Sequence, residues 1–247
     1  MIIWSLFDSG NGCYNQVFSK KEGVTNYSVG IDKGNSDSTH IELDLADLSY
    51  YFGSDDMIKK LEQYPKPDVI IASPPCESWS VASAMTGGNA CWRKVKGGTF
   101  GVRYQEDYEG TQFKQDKSFY NRINGELTIY NLIRIIKHFD PKVYIIENPA
   151  YGRIWEYIED VVGFSIPYEN LTYYNNYNYL VKKPTKFKSN INLELKTDKV
   201  EQTIEFRHLK GKNAGGRYNL RSNIPLLLIE DIYDKIESHL KEETKWF

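Results

Sequence analysis

The sharpest chemical feature of the sequence is a cysteine that directly follows two prolines. Pro74, Pro75 and Cys76 come after the apolar run 68–72, which has the length and composition of a buried strand. The prolines restrict the backbone of the turn and hold the next side chain in one direction. A lone cysteine is most often a small buried hydrophobic residue. Because Cys76 stands on a rigid turn at the end of a strand, we predict instead that it is a nucleophile.

A carboxyl group follows a second apolar run in the same way. Glu147 begins the Glu-Asn-Pro segment after the run 143–146, and parallel strands end at the same edge of a sheet. A thiolate and a carboxylic acid in one cleft suit an attack on cytosine. The sulfur adds to C6, the acid hydrogen-bonds N3 and the amino edge, and C5 becomes nucleophilic enough to take a methyl group. A free thiol is only slightly ionised at neutral pH, so Cys76 also needs a nearby positive charge, from the segment after it or from Lys183.

A glycine-rich turn and two aspartates follow the first strands and favour an adenosine cofactor. Gly10 and Gly12 let a cofactor approach the backbone closely, although such a turn is often only a turn. Asp32 ends the second strand, where it would accept bonds from ribose hydroxyls or cap a helix. Asp44 would bond the adenine amino group or lie on the surface. Cys13 stands where a dinucleotide-binding turn would continue toward its third glycine. The residues predicted to line the cofactor pocket are Phe7, Asp8, Ser9, Gly10, Asn11, Gly12, Asp32, Lys33, Asp44, Leu45 and Pro74.

Strands that alternate with helices predict a doubly wound parallel α/β sheet, with the chemistry beyond the carboxyl ends of its strands. Apolar residues at helical spacing predict a helix that begins near Glu126 and ends near His138. The glycine-rich stretch 86–122 has the character of a functional or mobile loop. A last helix is expected over 226–240, after Pro225.

Length and composition limit the alternatives. The 247 residues, 40% of them hydrophobic, suffice for one large α/β domain with or without a small appendage. We find no signal peptide and no apolar run near the ~20 residues that a membrane helix needs. The three cysteines are odd in number and lack metal-ligand spacing, so we expect free thiols, no metal and a cytoplasmic location.

The charge is distributed unevenly. The net charge of −2 does not by itself indicate a polyanionic partner, but the segment 182–221 carries eleven Lys and Arg against four acidic residues, a local charge of +7. Such a segment is either a solvated face or a surface that contacts phosphates. The residues predicted to contact nucleic acid are Lys186, Lys188, Arg207 and Arg217.

The motifs, taken in order, resemble those of the cytosine-C5 DNA methyltransferase family over roughly residues 2–150. They are the Phe7–Gly12 turn, Asp32, Asp44, Pro-Pro-Cys at 74–76 and Glu-Asn at 147–148; Ser80 also matches a serine that follows the family's nucleophile. The resemblance implies a Rossmann-like, S-adenosylmethionine-dependent methyltransferase sheet. In it Phe7 packs on the cofactor, Cys76 attacks and Glu147 holds the base. A mobile loop, about 77–122, would close over DNA whose target cytosine is flipped out.

The second half departs from the common bacterial enzymes. Their Gln-x-Arg-x-Arg and late Gly-Asn-Ser segments are missing, and the Lys-Pro-Thr of 183–185 resembles a variant found in short phage- and virus-encoded members. The segment 221–226 resembles one that leads into the family's last helix. We therefore expect a catalytic and cofactor-binding domain over 1–180, a small basic recognition region over 181–223, and a C-terminal helix, 224–247, packed back on the first domain.

The expected activity is methyl transfer from S-adenosylmethionine to C5 of cytosine in double-stranded DNA, with S-adenosylhomocysteine as product, by a monomer. One alternative is an RNA (tRNA) cytosine-C5 methyltransferase, because a small recognition region is compatible with reading a folded RNA. Another is a non-catalytic nucleic-acid-binding relative, against which the intact Cys76 and Glu147 argue. The last is a generic α/β domain with an unreactive cysteine.

Overall fold

The computed structural model describes residues 1–32, 39–81, 91–95, 98–111, 114–198 and 223–243. The strands are β1 (Ile2–Leu6), β2 (Thr25–Gly30), β3 (His40–Glu42), β4 (Val69–Ala72), β5 (Trp92–Val95), β6 (Gly98–Val102), β7 (Val143–Pro149), β8 (Tyr168–Tyr173) and β9 (Pro184–Ser189). The α-helices are α1 (Cys13–Phe18), α2 (Asp56–Leu61), α3 (Gln115–Phe139), α4 (Ile154–Glu156) and α5 (Leu226–Glu243). A π-helical turn, Tyr157–Val161, continues α4, and short 3-10 turns lie at Ser49–Phe52, Gln105–Asp107 and Tyr174–Tyr177.

Seven strands form one sheet in the order β3-β2-β1-β4-β7-β9-β8. The first five are parallel, and β9 runs antiparallel to both of its neighbours. The chain moves outward in opposite directions from β1 and β4, so the crevice beyond their carboxyl ends is a topological switch point. The predicted doubly wound, Rossmann-like α/β fold is confirmed, with the antiparallel β9 as a feature that strand–helix alternation did not predict.

The central strands bury side chains on both faces of the sheet, as their continuous apolar sequences predict. Trp4 and Ile70 pack with α2 and α3 on one face, whereas Ile3 and Ile71 pack with α1 and α5 on the other. Successive residues of a strand point to opposite faces, so neighbouring side chains belong to different cores. The C-terminal helix α5 contacts α1 directly. No helix in the described part of the chain has the length and apolar character to cross a membrane.

The region predicted as a loop, about 77–122, is largely folded where the structure describes it. It contains the β5–β6 hairpin, in which Cys91 and Trp92 are buried, and the first two turns of α3. The predicted helix start near Glu126 is therefore wrong by eleven residues: α3 begins at Gln115. The apolar pattern did not reveal these turns because their large apolar side chains, Phe119, Tyr120 and Ile123, are exposed. Residues 82–90, 96–97 and 112–113 of the predicted loop lie outside the described residues.

Candidate active site

Cys76 lies just beyond β4, at the start of a tight turn. Its carbonyl oxygen accepts hydrogen bonds from the backbone N–H groups of Trp79 and Ser80, at 3.0 and 2.9 Å. Trp79 is buried, and its ring packs against those of Trp92 and Tyr157, with centroids 5.8 and 4.8 Å away. The turn is thus fixed at one end by Pro74 and Pro75 and at the other by an aromatic cluster.

Glu147 lies at the same edge of the sheet, because β4 and β7 are adjacent and pair Ala72 with Ile146. Asn148 connects the two strand ends: its side-chain amide donates a 2.9 Å hydrogen bond to the carbonyl oxygen of Pro74. Both Glu147 and Asn148 are buried. A buried hydrogen bond of this kind fixes the turn before Cys76 relative to the strand that carries the carboxyl group.

The surroundings of the Glu147 carboxylate are aromatic and basic. The hydroxyl of Tyr174 donates to Glu147 Oε1 at 3.5 Å, and Lys183 Nζ donates to that hydroxyl at 3.2 Å. Burial, and next the Glu147 carboxylate, raise the pKa of Tyr14 and of Tyr174 well above the ordinary value of a phenol. Sequence analysis missed Tyr174, since only the antiparallel pairing of β8 and β9 carries it and Lys183 to the end of β7.

The electrostatics of the site hold the Cys76 thiol protonated at neutral pH. Burial is the largest cause that raises the pKa of Cys76 to about 11, and the carboxylates of Glu77 and Glu147 act in the same direction. The Lys183 ammonium opposes them and lowers the pKa of Cys76. Attack by Cys76 therefore requires loss of its proton to a base or a further positive charge near the sulfur.

The other two cysteines have different surroundings. All three thiols are free. Cys91 is buried in the core beside Trp92, and burial raises its pKa to about 12. Cys13 is the first residue of α1, and burial raises its pKa too.

The turn between β1 and α1 is built around the partly buried Asp8. Asp8 Oδ2 accepts a hydrogen bond from the backbone N–H of Asn15 at 3.3 Å. A Cβ on Gly12 would lie 1.7 Å from Asp8 Oδ1, and one on Gly30 would lie 2.7 Å from the Asp8 carbonyl oxygen. Phe7 adopts a positive φ of 60°, which an L-residue rarely does. A glycine is therefore needed at residue 12 to leave room for the Asp8 carboxylate, as well as for any ligand that approaches the turn.

The remaining predicted cofactor residues line the same edge of the sheet, with one exception. Asp32 and Asp44 are exposed after β2 and β3, and Asp44 Oδ1 accepts a 2.8 Å hydrogen bond from the backbone N–H of Ala46. Leu45 is buried, and its carbonyl accepts a hydrogen bond from the Asn131 amide. Lys33 lies outside the described residues. Ile31, which sequence analysis missed, is 67% exposed directly before Asp32 and offers an apolar surface to a ring.

A cavity of about 350 Å³ lies between the turn after Cys76 and α3. Its walls include Pro75, Glu77, Lys117, Asn121 and Asn124. This cavity opens the space beside the Cys76 turn to a ligand with polar groups.

Two of the lysines predicted to contact phosphates form ion pairs within the protein. Lys188 is buried in β9, where its ammonium lies 2.5 Å from Glu159 and 3.6 Å from Glu169. Lys186 forms a 2.7 Å ion pair with Glu169. These two lysines are neutralised by acidic residues next to the sheet and are not presented to an external polyanion. Their strand, predicted as part of the recognition region 181–223, belongs to the central sheet, whereas Arg207 and Arg217 lie outside the described residues.

Comparisons with known proteins give similarities at the level of structure. No family model matches the chain, and no curated protein does. A structure described as a DNA modification methyltransferase encoded within a prophage (E. coli) has 13% identity and a TM-score of 0.40, over 76% of this chain and 46% of that one. The Entamoeba histolytica methyltransferase EhMeth has 11% sequence identity and a TM-score of 0.45, and the match covers 86% of this chain and 60% of that one. The S. pombe Dnmt2 methyltransferase has 12% sequence identity and a TM-score of 0.43, and the match covers 87% of this chain and 58% of that one. The chain thus spans about half of the length of these proteins.

Proposed function

We propose that the chain is an S-adenosylmethionine-dependent methyltransferase that methylates C5 of cytosine in double-stranded DNA through a covalent adduct with Cys76. The observation that carries the proposal is that Cys76, just after β4, and Glu147, in the last residues of the adjacent β7, lie at one edge of the sheet, where Asn148 hydrogen-bonds Pro74. A nucleophile and a carboxyl group at a topological switch point are the parts that this reaction requires.

The chain's own residues account for the steps at the base. Cys76, as thiolate, forms a bond from sulfur to C6, and Glu147, as the carboxylic acid, donates a hydrogen bond to N3, which stabilises the electrons displaced from the C5–C6 double bond and makes C5 nucleophilic. S-adenosylmethionine, when bound, supplies the methyl group that C5 takes. The proton on C5 then leaves to a base, the carbon–sulfur bond breaks and the thiolate is restored. The target cytosine leaves the duplex for this reaction, at a cost of a few kcal/mol in unstacking.

The residues at the switch point fit an adenosine-containing methyl donor. The turn from Phe7 to Gly12 brings the backbone close to the crevice, and the exposed Asp32 carboxylate is suited to ribose hydroxyls. Ile31 would pack on the adenine, and Asp44 would accept a bond from its amino group. The free thiols support a reducing, cytoplasmic setting. We assign the enzyme as a monomer, with Arg207 and Arg217 in a recognition region that contacts phosphates.

The direct test is mass spectrometry of nucleosides from DNA incubated with the protein and S-adenosylmethionine. We expect 5-methylcytosine with the parent protein and none with Cys76→Ser. A parallel reaction with tRNA decides between the two polymers: methylation of tRNA alone would transfer the same chemistry to RNA. Absence of product from both would overturn the proposal.

Trapping with DNA that contains 5-fluorocytosine tests the covalent step. The fluorine at C5 cannot leave as a cation, so the adduct persists. The Cys13→Ser and Cys91→Ser proteins should trap DNA normally, whereas Cys76→Ser should form no stable adduct. An adduct that survives the Cys76 change would assign the nucleophile elsewhere.

A further inference from the structure

A fully buried tyrosine connects the carboxyl group of the site to its lysine. Tyr174 is 0% exposed, and its hydroxyl lies between Glu147 Oε1 at 3.5 Å and Lys183 Nζ at 3.2 Å. The hydroxyl donates its one proton to the carboxylate and accepts from the ammonium, which is the only way in which a phenol can serve both groups. The ammonium also lies 4.8 Å from the centroid of the Tyr174 ring, within the range of a cation–π interaction.

The backbone and a neighbouring ring hold this tyrosine in place. The backbone N–H of Tyr174 donates to the carbonyl oxygen of Lys183 at 3.2 Å, and β8 and β9 pair Tyr173 with Pro184 just beside it. The Tyr179 ring meets the Tyr174 ring edge-on, with centroids 5.7 Å apart. Because burial and the Glu147 carboxylate raise the pKa of Tyr174 well above its ordinary value, the hydroxyl keeps the proton that it donates.

We infer that Tyr174 is a positioning residue of the active site, which orients the Glu147 carboxyl toward the base and holds the Lys183 ammonium beside Cys76. The first of these roles rests on the proposed function, whereas the second is a property of the protein alone. Cys76 is faced by Glu77 from its own turn, by Glu147 from β7 and by Lys183 from the segment before β9. Tyr174 contacts two of these three groups, Glu147 and Lys183, so its hydroxyl bears on both the carboxyl and the cation of the site.

The matched pair of variants is Tyr174→Phe and Tyr177→Phe. Both residues are buried in the same 3-10 turn, and both changes keep the aromatic ring. The Tyr177 hydroxyl, however, donates to Asp231 Oδ2 at 2.7 Å and accepts from the backbone N–H of Lys196 at 3.0 Å, away from Glu147. A loss of stability common to both variants is therefore separable from an effect on the site.

The first measurement is the rate of Cys76 alkylation by iodoacetamide against pH, in a Cys13→Ser, Cys91→Ser background. Without its anchor the Lys183 ammonium moves away, so Tyr174→Phe should slow alkylation at pH 9 by roughly 3–10-fold, since one pKa unit is a tenfold change in thiolate. Lys183→Met should have the same effect, and the double variant should be no slower than either single one. Tyr177→Phe should match the parent.

A Tyr174→Phe profile that coincides with the parent's would overturn the inference, as would effects of Tyr174→Phe and Lys183→Met that multiply. Lys183 is only half-buried, so Lys183→Met keeps the test decisive if Tyr174→Phe does not fold.

The second measurement is methyl transfer. We expect Tyr174→Phe to lower kcat about 10–100-fold with KM for DNA changed less than about twofold, because the hydroxyl orients a group that acts during the reaction rather than in binding. An unchanged kcat would remove the role toward Glu147. If the parent protein shows no methyl transfer, the proposed function fails, while the alkylation profiles still decide whether Tyr174 holds Lys183.

Discussion

Asp8 illustrates at the scale of single residues how a partly buried carboxyl group constrains its neighbours. Its carboxylate occupies the space that a side chain at residue 12 would need, and its carbonyl oxygen would lie 2.7 Å from a Cβ on Gly30. Burial raises the pKa of Asp8 to about 7, with a smaller contribution from Asp32, although hydrogen bonds from the backbone oppose the shift. Near neutral pH the turn at the start of α1 therefore contains a carboxyl group that is partly protonated.

Asp8→Asn should make stability less dependent on pH. The folded protein keeps a proton on Asp8 up to about pH 7, whereas the unfolded chain loses it near the ordinary aspartate pKa of 3.8. The free energy of unfolding of the parent therefore falls as pH rises from about 4 to 7, by at most about 4 kcal/mol, and then levels off. The asparagine side chain of the variant carries no such charge. Urea denaturation at pH 4 to 8 should show that the free energy of unfolding of the variant increases relative to that of the parent as pH rises.

The control is Asp160→Asn, which changes an exposed aspartate. It should leave the pH dependence of the parent in place. Equal slopes for parent and Asp8→Asn would mean that Asp8 is ionised throughout this range in the folded protein.

Glu77→Gln should speed alkylation of Cys76. The Glu77 carboxylate is the second cause, after burial, that raises the pKa of Cys76, so its removal lowers that pKa. Glu77 is exposed and its effect is screened by water and salt; we expect a modest change, about 2–5-fold faster at pH 9 and low salt and smaller at high salt. Glu156→Gln, at another exposed glutamate, should have no effect. An unchanged rate would leave burial alone as the cause.

At the scale of elements, the long helix α3 positions the turn that follows Cys76. A Cβ on Gly125 would lie 2.7 Å from Ser78 Oγ and 3.2 Å from Trp79 Nε1. Ser78 in turn hydrogen-bonds the carbonyl oxygen of Asn121 on the same helix. The turn after Cys76 thus rests on the helix backbone, where only glycine leaves room.

Gly125→Ala should destabilise the protein, against the usual effect in a helix. Alanine normally stabilises a helix interior by roughly 1 kcal/mol relative to glycine. Here its methyl group would push the turn away, so we expect a net loss of about 1–3 kcal/mol and a lower rate of adduct formation at Cys76. Thermal melts and trapping measure the two effects. Asn124→Ala, at an exposed neighbouring residue, should change neither the stability nor the rate of adduct formation. A Gly125→Ala protein that is more stable than the parent would show that the turn moves freely.

At the scale of the whole molecule, the fold pairs two lysines of the basic segment 182–221 with acidic residues of the same protein. Lys186 and Lys188 extend from β9 toward acidic residues of β8 and the π-helical turn. The Lys188 ammonium also lies 5.7 Å from the centroid of the Trp155 ring. A local charge of +7 in the sequence is therefore not a charge of +7 on one face.

The salt dependence of DNA binding should separate these parts. Arg207→Gln with Arg217→Gln should reduce the slope of log affinity against log salt by about 2, because each phosphate contact contributes about 0.9. Lys188→Met should leave the slope unchanged and lower the free energy of unfolding by about 1–2 kcal/mol, since its partners remain partly exposed. Fluorescence anisotropy at several salt concentrations measures the slopes. A reduced slope for Lys188→Met would indicate that Lys188 contacts phosphates after all.

The sequence by itself determined the features that are encoded locally. Apolar runs that end in prolines or polar residues identified β4 and β7, and thereby the edge of the sheet at which Cys76 and Glu147 lie, although β7 continues through Glu147 to Pro149. The alternation of such runs with helical patterns determined the doubly wound fold. Burial of a short parallel strand requires a continuous apolar sequence, so these elements are visible without their partners.

The tertiary structure alone decided which distant segments meet. The antiparallel pairing of β9 between β7 and β8 brings Tyr174 and Lys183 to Glu147 and places the buried Lys188 in an ion pair with the exposed Glu159. The contact of Gly125 with the Cys76 turn joins residues almost fifty positions apart. Register and pairing depend on packing among several elements at once, and neither local hydrophobicity nor residue charge specifies which carboxylate a lysine will reach.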